Sequence, residues 1–200
     1  MAAATMTEKY GLIVSTTGTL DSDYSELARK WIDKLQTGCM VEGLTYLFEI
    51  CDNTDPHIVE EKDGAYLIGI RRISDGYLSS EDYTDSVALS LGAIRPVVGV
   101  MKFKDIPQTK REGFMVRCLN TGEVLCKLKS NHYLSKKALQ RCGKNKAEKM
   151  WNNPSRFKIQ LDEEFYAVFD KILETFTKEA YLSMQEQERR KWIEEYFENE

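Results

Sequence analysis

A carboxylate and two lysines stand at a spacing that suits a metal-bound polyphosphate: Glu112-Gly-Phe-Met-Val-Arg117 is followed, after a turn, by Lys127-Leu-Lys129. Residues 114–119 and 124–128 flank Asn120-Thr-Gly-Glu123, a Gly-containing hairpin connection. Glu112 and Lys129 are therefore expected near the same end of a two-stranded ribbon. A carboxylate can hold a divalent cation and ammonium groups can meet phosphate oxygens, because phosphoryl or nucleotidyl transfer needs charge neutralised on both sides of the phosphorus. The bland reading of the same side chains is a solvated sheet face.

The elements that must position these groups alternate between strand and helix. A short strand at 12–15 leads through the Gly18 turn to a helix capped by Asp21 or Ser22 and running to about Leu35, with Tyr24, Leu27, Ala28, Trp31, Ile32 and Leu35 on one face. Strands are expected at about 44–51, 57–61 and 65–73, with Lys62-Asp63-Gly64 as the tight turn joining the last two. Ser79, Ser80 or Thr84 starts a helix toward Leu91, Pro96 interrupts the path to the apolar run 97–103, and a loop at 104–111 delivers Glu112. Near Ser135 the pattern turns helical. One basic helix is expected from 135 to about 151, and another from 162 to about 177 with Phe165, Val168, Phe169, Ile172, Leu173 and Phe176 on its apolar face. Ser183-Met-Gln-Glu186 has the form of a capping box before a last helix through Phe197. The fold class read from this order is α+β, with residues 1–134 as a sheet-bearing domain and 135–200 as a helical appendage.

A chain of 200 residues fits one domain or one with a small addition. No stretch approaches 18 apolar residues and Met1-Ala-Ala-Ala-Thr lacks a basic start, so neither a membrane span nor a secretory signal is expected. The five cysteines form no Cys-x-x-Cys pair, and Cys51, Cys118 and Cys126 fall in apolar strands, which favours reduced thiols in a cytoplasmic or nuclear compartment. A net charge of −4 argues against broad nonspecific nucleic-acid binding. Locally, Lys127, Lys129, Lys136, Lys137, Arg141, Lys144, Lys146 and Lys149 face only Glu148, a run that suits either an RNA backbone or a solvated helix face. His57 and His132 have no second ligand at metal spacing and read as structural turn residues.

Collinear segments from about Tyr10 to Leu134 resemble the nucleotidyltransferase motifs of ATP-dependent RNA ligases of the phage T4 type. Leu12-Ile-Val-Ser-Thr-Thr-Gly-Thr-Leu-Asp-Ser-Asp-Tyr24 is similar to the strand, Gly turn and helix start after the nucleophile. Tyr46-Leu-Phe-Glu-Ile50 with Asp55-Pro-His-Ile-Val59 resembles the ribose-contacting motif, and Leu67-Ile-Gly-Ile-Arg71 the strand facing adenine. Glu112-Gly-Phe-Met-Val resembles the metal motif and Lys127-Leu-Lys129 the phosphate-contacting lysines. The resemblance implies an antiparallel-sheet, ATP-grasp-like nucleotidyltransferase core, here incomplete, using ATP and Mg²⁺ to join RNA ends. It implies Glu112 on the metal, Lys127 and Lys129 on the α-phosphate, Glu49 on the ribose, and Ile68 with Met115 sandwiching adenine.

Two departures stand out. The family's nucleophile is the lysine of Lys-x-Asp-Gly, ahead of the Gly turn, and nothing before Leu12 supplies it; at Lys62-Asp63-Gly64 the required lysine position holds Glu61. Thr17 stands where the family usually places a cation before the Gly. Three functions follow as expectations: a ligase fragment, either truncated ahead of Met1 or completed by a separately encoded N-terminal piece, a noncatalytic nucleotide or RNA-binding module, or a protein-interaction protein working through its terminal helices.

Overall fold

A computed structural model describes residues 1–55, 57–59, 61–118 and 123–199, in two compact units that divide after Val100. The first unit is built on β1 (Ala2–Thr7), β2 (Gly11–Thr16), β3 (Leu44–Cys51) and β4 (Gly64–Arg72), all antiparallel in the order β2-β1-β3-β4. Strand alternation sends Ala2, Ala4, Val14, Tyr46 and Phe48 to one face, where they bury against Ala28 and Ile32 of α1 (Asp23–Ile32) and Ala88 and Leu91 of α2 (Glu81–Leu91). Each of the large side chains there contributes roughly 1.5–3 kcal/mol by leaving water.

Both helices begin where a serine side chain accepts a backbone N–H, Ser22 from Ser25 and Ser80 from Tyr83. Gly92 ends α2 with φ 71°. Arg95 then clamps α2 to the sheet, pairing with Glu81 and with Asp85 at 2.6 Å and donating to the Leu67 carbonyl. In β4, Leu67 faces Phe48 and Gly69 faces Leu47, which leaves Ile68 as the extra residue of a bulge.

The structure corrects the element reading in three places in this unit. β1 was not expected as a strand, yet it pairs on both sides. The strand expected at 57–61 does not form at the described residues 57–59, which are irregular. Its turn differs too: Asp63 is a bend and Gly64 already opens β4.

The second unit opens with a 3-10 helix at Phe103–Gln108, where a loop was expected. It continues with the hairpin β5 (Gly113–Arg117) and β6 (Val124–Lys129), as the sequence pattern requires; the turn residues 120–122 lie outside the described residues. The change to helix occurs at Asn131, inside this unit. The basic stretch expected as one helix is two, α3 (Asn131–Gln140) and α4 (Lys144–Asn152), because the chain leaves helical geometry at Arg141 and restarts at Gly143. Then follow α5 (Pro154–Lys158), α6 (Tyr166–Thr175), α7 (Lys178–Ser183) and α8 (Glu186–Glu198). The capping box of α8 is Gln185 with Glu188, two residues beyond the expected one.

Phe165, Val168, Phe169 and Ile172 of the expected apolar face are buried with Leu139, Met150, Phe157 and Tyr181, and Phe157 stacks on Phe169 at 5.6 Å. The last carbonyls of α3 need partners. Tyr181 donates its hydroxyl to the Leu139 carbonyl at 3.0 Å, and buried Arg189 donates Nε to the Gln140 carbonyl at 2.8 Å. Among the described residues no helix is long and apolar enough to cross a membrane.

Candidate functional site

The hairpin register decides which groups meet. Gly113 faces Lys129 and Met115 faces Lys127, so Met115 and both lysines share one face, with Glu112 at its end. The Glu112 carboxylate accepts from Lys129 Nζ, and Lys127 Nζ lies 3.7 Å from the same oxygen. Gly113 makes this approach work: its φ is 142°, and a Cβ there would collide with the Leu128 carbonyl. Behind the lysines, the Tyr133 ring lies 4.4 Å from Lys129 Nζ and 5.5 Å from Lys137 Nζ. Ser130 caps α3 by accepting from Tyr133 N at 3.0 Å and donates its hydroxyl to the Arg111 carbonyl, so the strand end and the helix start are tied together. Met115 is half-exposed.

Chemically, the arrangement is a carboxylate already neutralised by two ammonium groups. A divalent cation on Glu112 would release the lysines toward phosphate oxygens, so metal and polyphosphate would enter together. Among the described residues no three His, Cys, Asp or Glu side chains gather for a metal ion. A cation at Glu112 would take its other ligands from water and phosphate, as Mg²⁺ commonly does.

Glu49 and Ile68 belong to the first unit. Glu49 lines a cavity of about 310 Å³ together with Thr17, Tyr24, Asp55 and His57. His57 Nε2 donates to the Ile50 carbonyl at 3.1 Å and lies 3.9 Å from the Glu49 carboxylate, and the Met1 amino group is 3.6 Å from the other Glu49 oxygen. Ile68 is not one of the residues lining this cavity, and it is half-buried at its bulge.

The loop that delivers Asp55 and His57 is organised by a residue that sequence reasoning missed. Asp52 is buried and accepts from Thr54 N at 2.9 Å, Thr54 Oγ1 at 2.5 Å, Trp31 Nε1 at 2.6 Å and Lys30 Nζ at 3.2 Å. The hydrogen bonds from Thr54 first, then those from Trp31 and Lys30, hold its carboxyl far below the usual range. The readable signal was Asp52-Asn-Thr54 directly after a strand, the form of an Asx turn. Tyr133 was missed as well, although it lies one helical turn beyond the lysine motif.

No protein-family model matches the chain, and no curated protein matches it in sequence. The site therefore has to be argued from its own geometry. Of the five cysteines, Cys51 and Cys142 are buried, Cys118 and Cys126 half-buried, and Cys39 exposed.

Proposed function

We propose that this chain carries the phosphate-, metal- and ribose-holding residues of an RNA-ligase-type nucleotidyltransferase, acting with ATP and Mg²⁺ on RNA ends inside the cell. The observation that supports this best is the hairpin, whose register puts Met115, Lys127 and Lys129 on one face and whose two lysines both reach the Glu112 carboxylate just before β5. The α+β organisation with antiparallel sheets is compatible with an incomplete nucleotidyltransferase core. Residues 1–200 contain no Lys-x-Asp-Gly, so the adenylated lysine is assigned to a residue outside them.

In this reading the reactive substrate is an RNA whose 5′-phosphate carries AMP. A 3′-hydroxyl attacks that phosphorus, the new phosphodiester forms, and the bond to AMP breaks. Lys127 and Lys129 stabilise the charge on the α-phosphate oxygens; Glu112 would hold Mg²⁺, which would supply the remaining charge neutralisation. Met115, on the same face as the lysines, meets the adenine; Glu49 and Ile68, to which the resemblance gives the ribose and the other adenine contact, belong to the other unit.

The test uses 5′-adenylated RNA with an acceptor strand and Mg²⁺, because this substrate needs no lysine adenylation. Joining by the chain, reduced about 10²-fold in Lys129→Ala and in Lys127→Ala, is the expected result. With labelled ATP alone, no covalent AMP adduct should form on this polypeptide.

A second reading is favoured by Thr17, which offers no cation at the first unit's cavity. It is a nucleotide or RNA-binding module without chemistry, and ATP binding with no joining would select it. Absence of both binding and joining would overturn both readings.

A further inference from the structure

Two lysines of the second unit share one aromatic ring. Tyr133 is 7% exposed, and the ammonium groups of Lys129 and Lys137 lie 4.4 and 5.5 Å from the centre of its ring. The two ammonium groups therefore stand within about 10 Å of each other, and each gains from the negative face of the ring. Lys129 is itself in contact with the Glu112 carboxylate. Lys137 is thus held beside the hairpin site by the same side chain that backs Lys129.

Its neighbours in the basic run are neutralised and Lys137 is not. Lys136 pairs with Glu194 at 3.3 Å, and Arg141, at the end of α3, pairs with Glu186 at 2.6 Å. Lys137 has no hydrogen bond or ion pair among the described residues, and its contact is the Tyr133 ring. A lysine on a solvated helix face carries its ammonium out into water. Lys137 is half-buried instead, and its charge is felt by a second lysine. Burial lowers the Lys146 ammonium from its ordinary value, and the Lys137 charge adds to that shift. Like charges held together in this way repel until an anion meets them.

The charge of that anion follows from the cations around it. A phosphodiester carries a single negative charge, and the hairpin already offers it Lys127 and Lys129. A third lysine with no carboxylate of its own suits a ligand in which a second charged phosphate is linked to the first. We propose that Lys137, held on Tyr133, is a third phosphate-contacting lysine and that the site takes a diphosphate group, the P–O–P unit of a nucleoside polyphosphate or of a 5′-adenylated RNA end. This rests on the reading of Lys127 and Lys129 as phosphate contacts and adds to it the number of linked phosphates the site selects.

The test is a calorimetric titration of the full chain, in Mg²⁺, with inorganic phosphate and with pyrophosphate. Pyrophosphate should bind about tenfold more tightly than phosphate, and Lys137→Ala should erase that advantage while leaving phosphate binding within about twofold. Lys136→Ala removes the same charge one residue away and should change neither, with circular dichroism verifying the fold of each variant. Repeating the titration with ATP and with 5′-adenylated RNA distinguishes the two sources, since the ligand whose binding Lys137→Ala weakens about tenfold is the one whose linked phosphates the site holds. Equal binding of phosphate and pyrophosphate, a pyrophosphate advantage that survives Lys137→Ala, or an equal loss in Lys136→Ala would overturn this proposal. Phosphate binding that is lost in Lys129→Ala would still leave the hairpin reading standing in those cases. No binding of either anion would overturn both.

Discussion

Asp52 in the first unit and Glu112 in the second are both carboxylates met by lysine, and they are held in opposite ways. Asp52 is 4% exposed and takes four donors, two of them from Thr54 two residues away and one from the rigid indole of Trp31. Glu112 is partly exposed, and its carboxylate is met by two ammonium groups on flexible stems. A fully satisfied buried carboxylate is expensive to disturb, whereas a partly solvated ion pair is worth only about 0–1 kcal/mol. The strongly held group is thus scaffold, and the weakly held one is the group whose partners a ligand can exchange.

The sharpest way to break that contrast is to remove each carboxylate. Asp52→Ala strands Trp31 Nε1 and the Thr54 donors, and should cost about 3–5 kcal/mol in urea unfolding. Glu112→Ala should cost about 1 kcal/mol or less. Equal losses would abolish the distinction. A pH arm sharpens it: the Asp52 carboxyl is depressed in the fold, so its stabilisation is fully present above its unfolded value near 4 and is lost as pH falls toward 2 and below. Asp52→Asn should flatten that acid limb.

A smaller effect is expected at the hairpin backbone. Gly113→Ala places a Cβ against the Leu128 carbonyl at a φ of 142°, which should cost roughly 1–3 kcal/mol and shift Lys129 away from Glu112. If the chain joins adenylated RNA as proposed, that joining should then fall even where circular dichroism shows retained helix. Activity equal to wild type would show that the register does not position the lysines.

What was readable in the sequence follows the same divide. The hairpin and its charged face were legible because two β-rich runs flank a Gly-containing turn, and period-two alternation then dictates the shared face. The Glu49 cavity was legible only in part. Its wall depends on β1, whose Ala-Ala-Ala-Thr-Met-Thr has little strand propensity and forms because β2 and β3 pair with it on both sides. Small side chains at Ala2 and Ala4 can be buried under α1 there, a tertiary preference that no local pattern carries. The break between α3 and α4 was marked by Gly143, but a continuous run of lysines masked it.

At the junction of hairpin and helix, Ser130→Ala removes the cap on α3 and the bond to the Arg111 carbonyl. The expected cost is about 0.5–2 kcal/mol in thermal or urea unfolding. Because Tyr133 is the residue whose N–H loses its acceptor, the cation–π contact of Lys129 should loosen with it. A larger loss than that of Asp52→Ala would make this junction, and not the Asp52 loop, the better-held region.

The smallest expected effect concerns thiols placed in the two regions. Cys51 ends β3 beside the Asp52 loop, and burial, with Glu49, Glu61 and Asp63 adding repulsion, pushes its thiol up to about 11. Cys126 lies on β6 opposite Val116 and is half-buried. At pH 8 the Cys51 thiolate is on the order of 0.1% of the thiol, so iodoacetamide should modify exposed Cys39 first and Cys51 only after unfolding. The linkage carries a sign as well. The folded chain keeps a proton that the unfolded chain gives up near pH 9, so stability should decline between about pH 9 and 11, and Cys51→Ala should remove that part of the decline. If mass spectrometry instead found Cys51 alkylated in the native chain as fast as Cys39, the packing around the Asp52 loop would be as open as the hairpin face, and the rigid scaffold and the exchangeable site would no longer be different kinds of place.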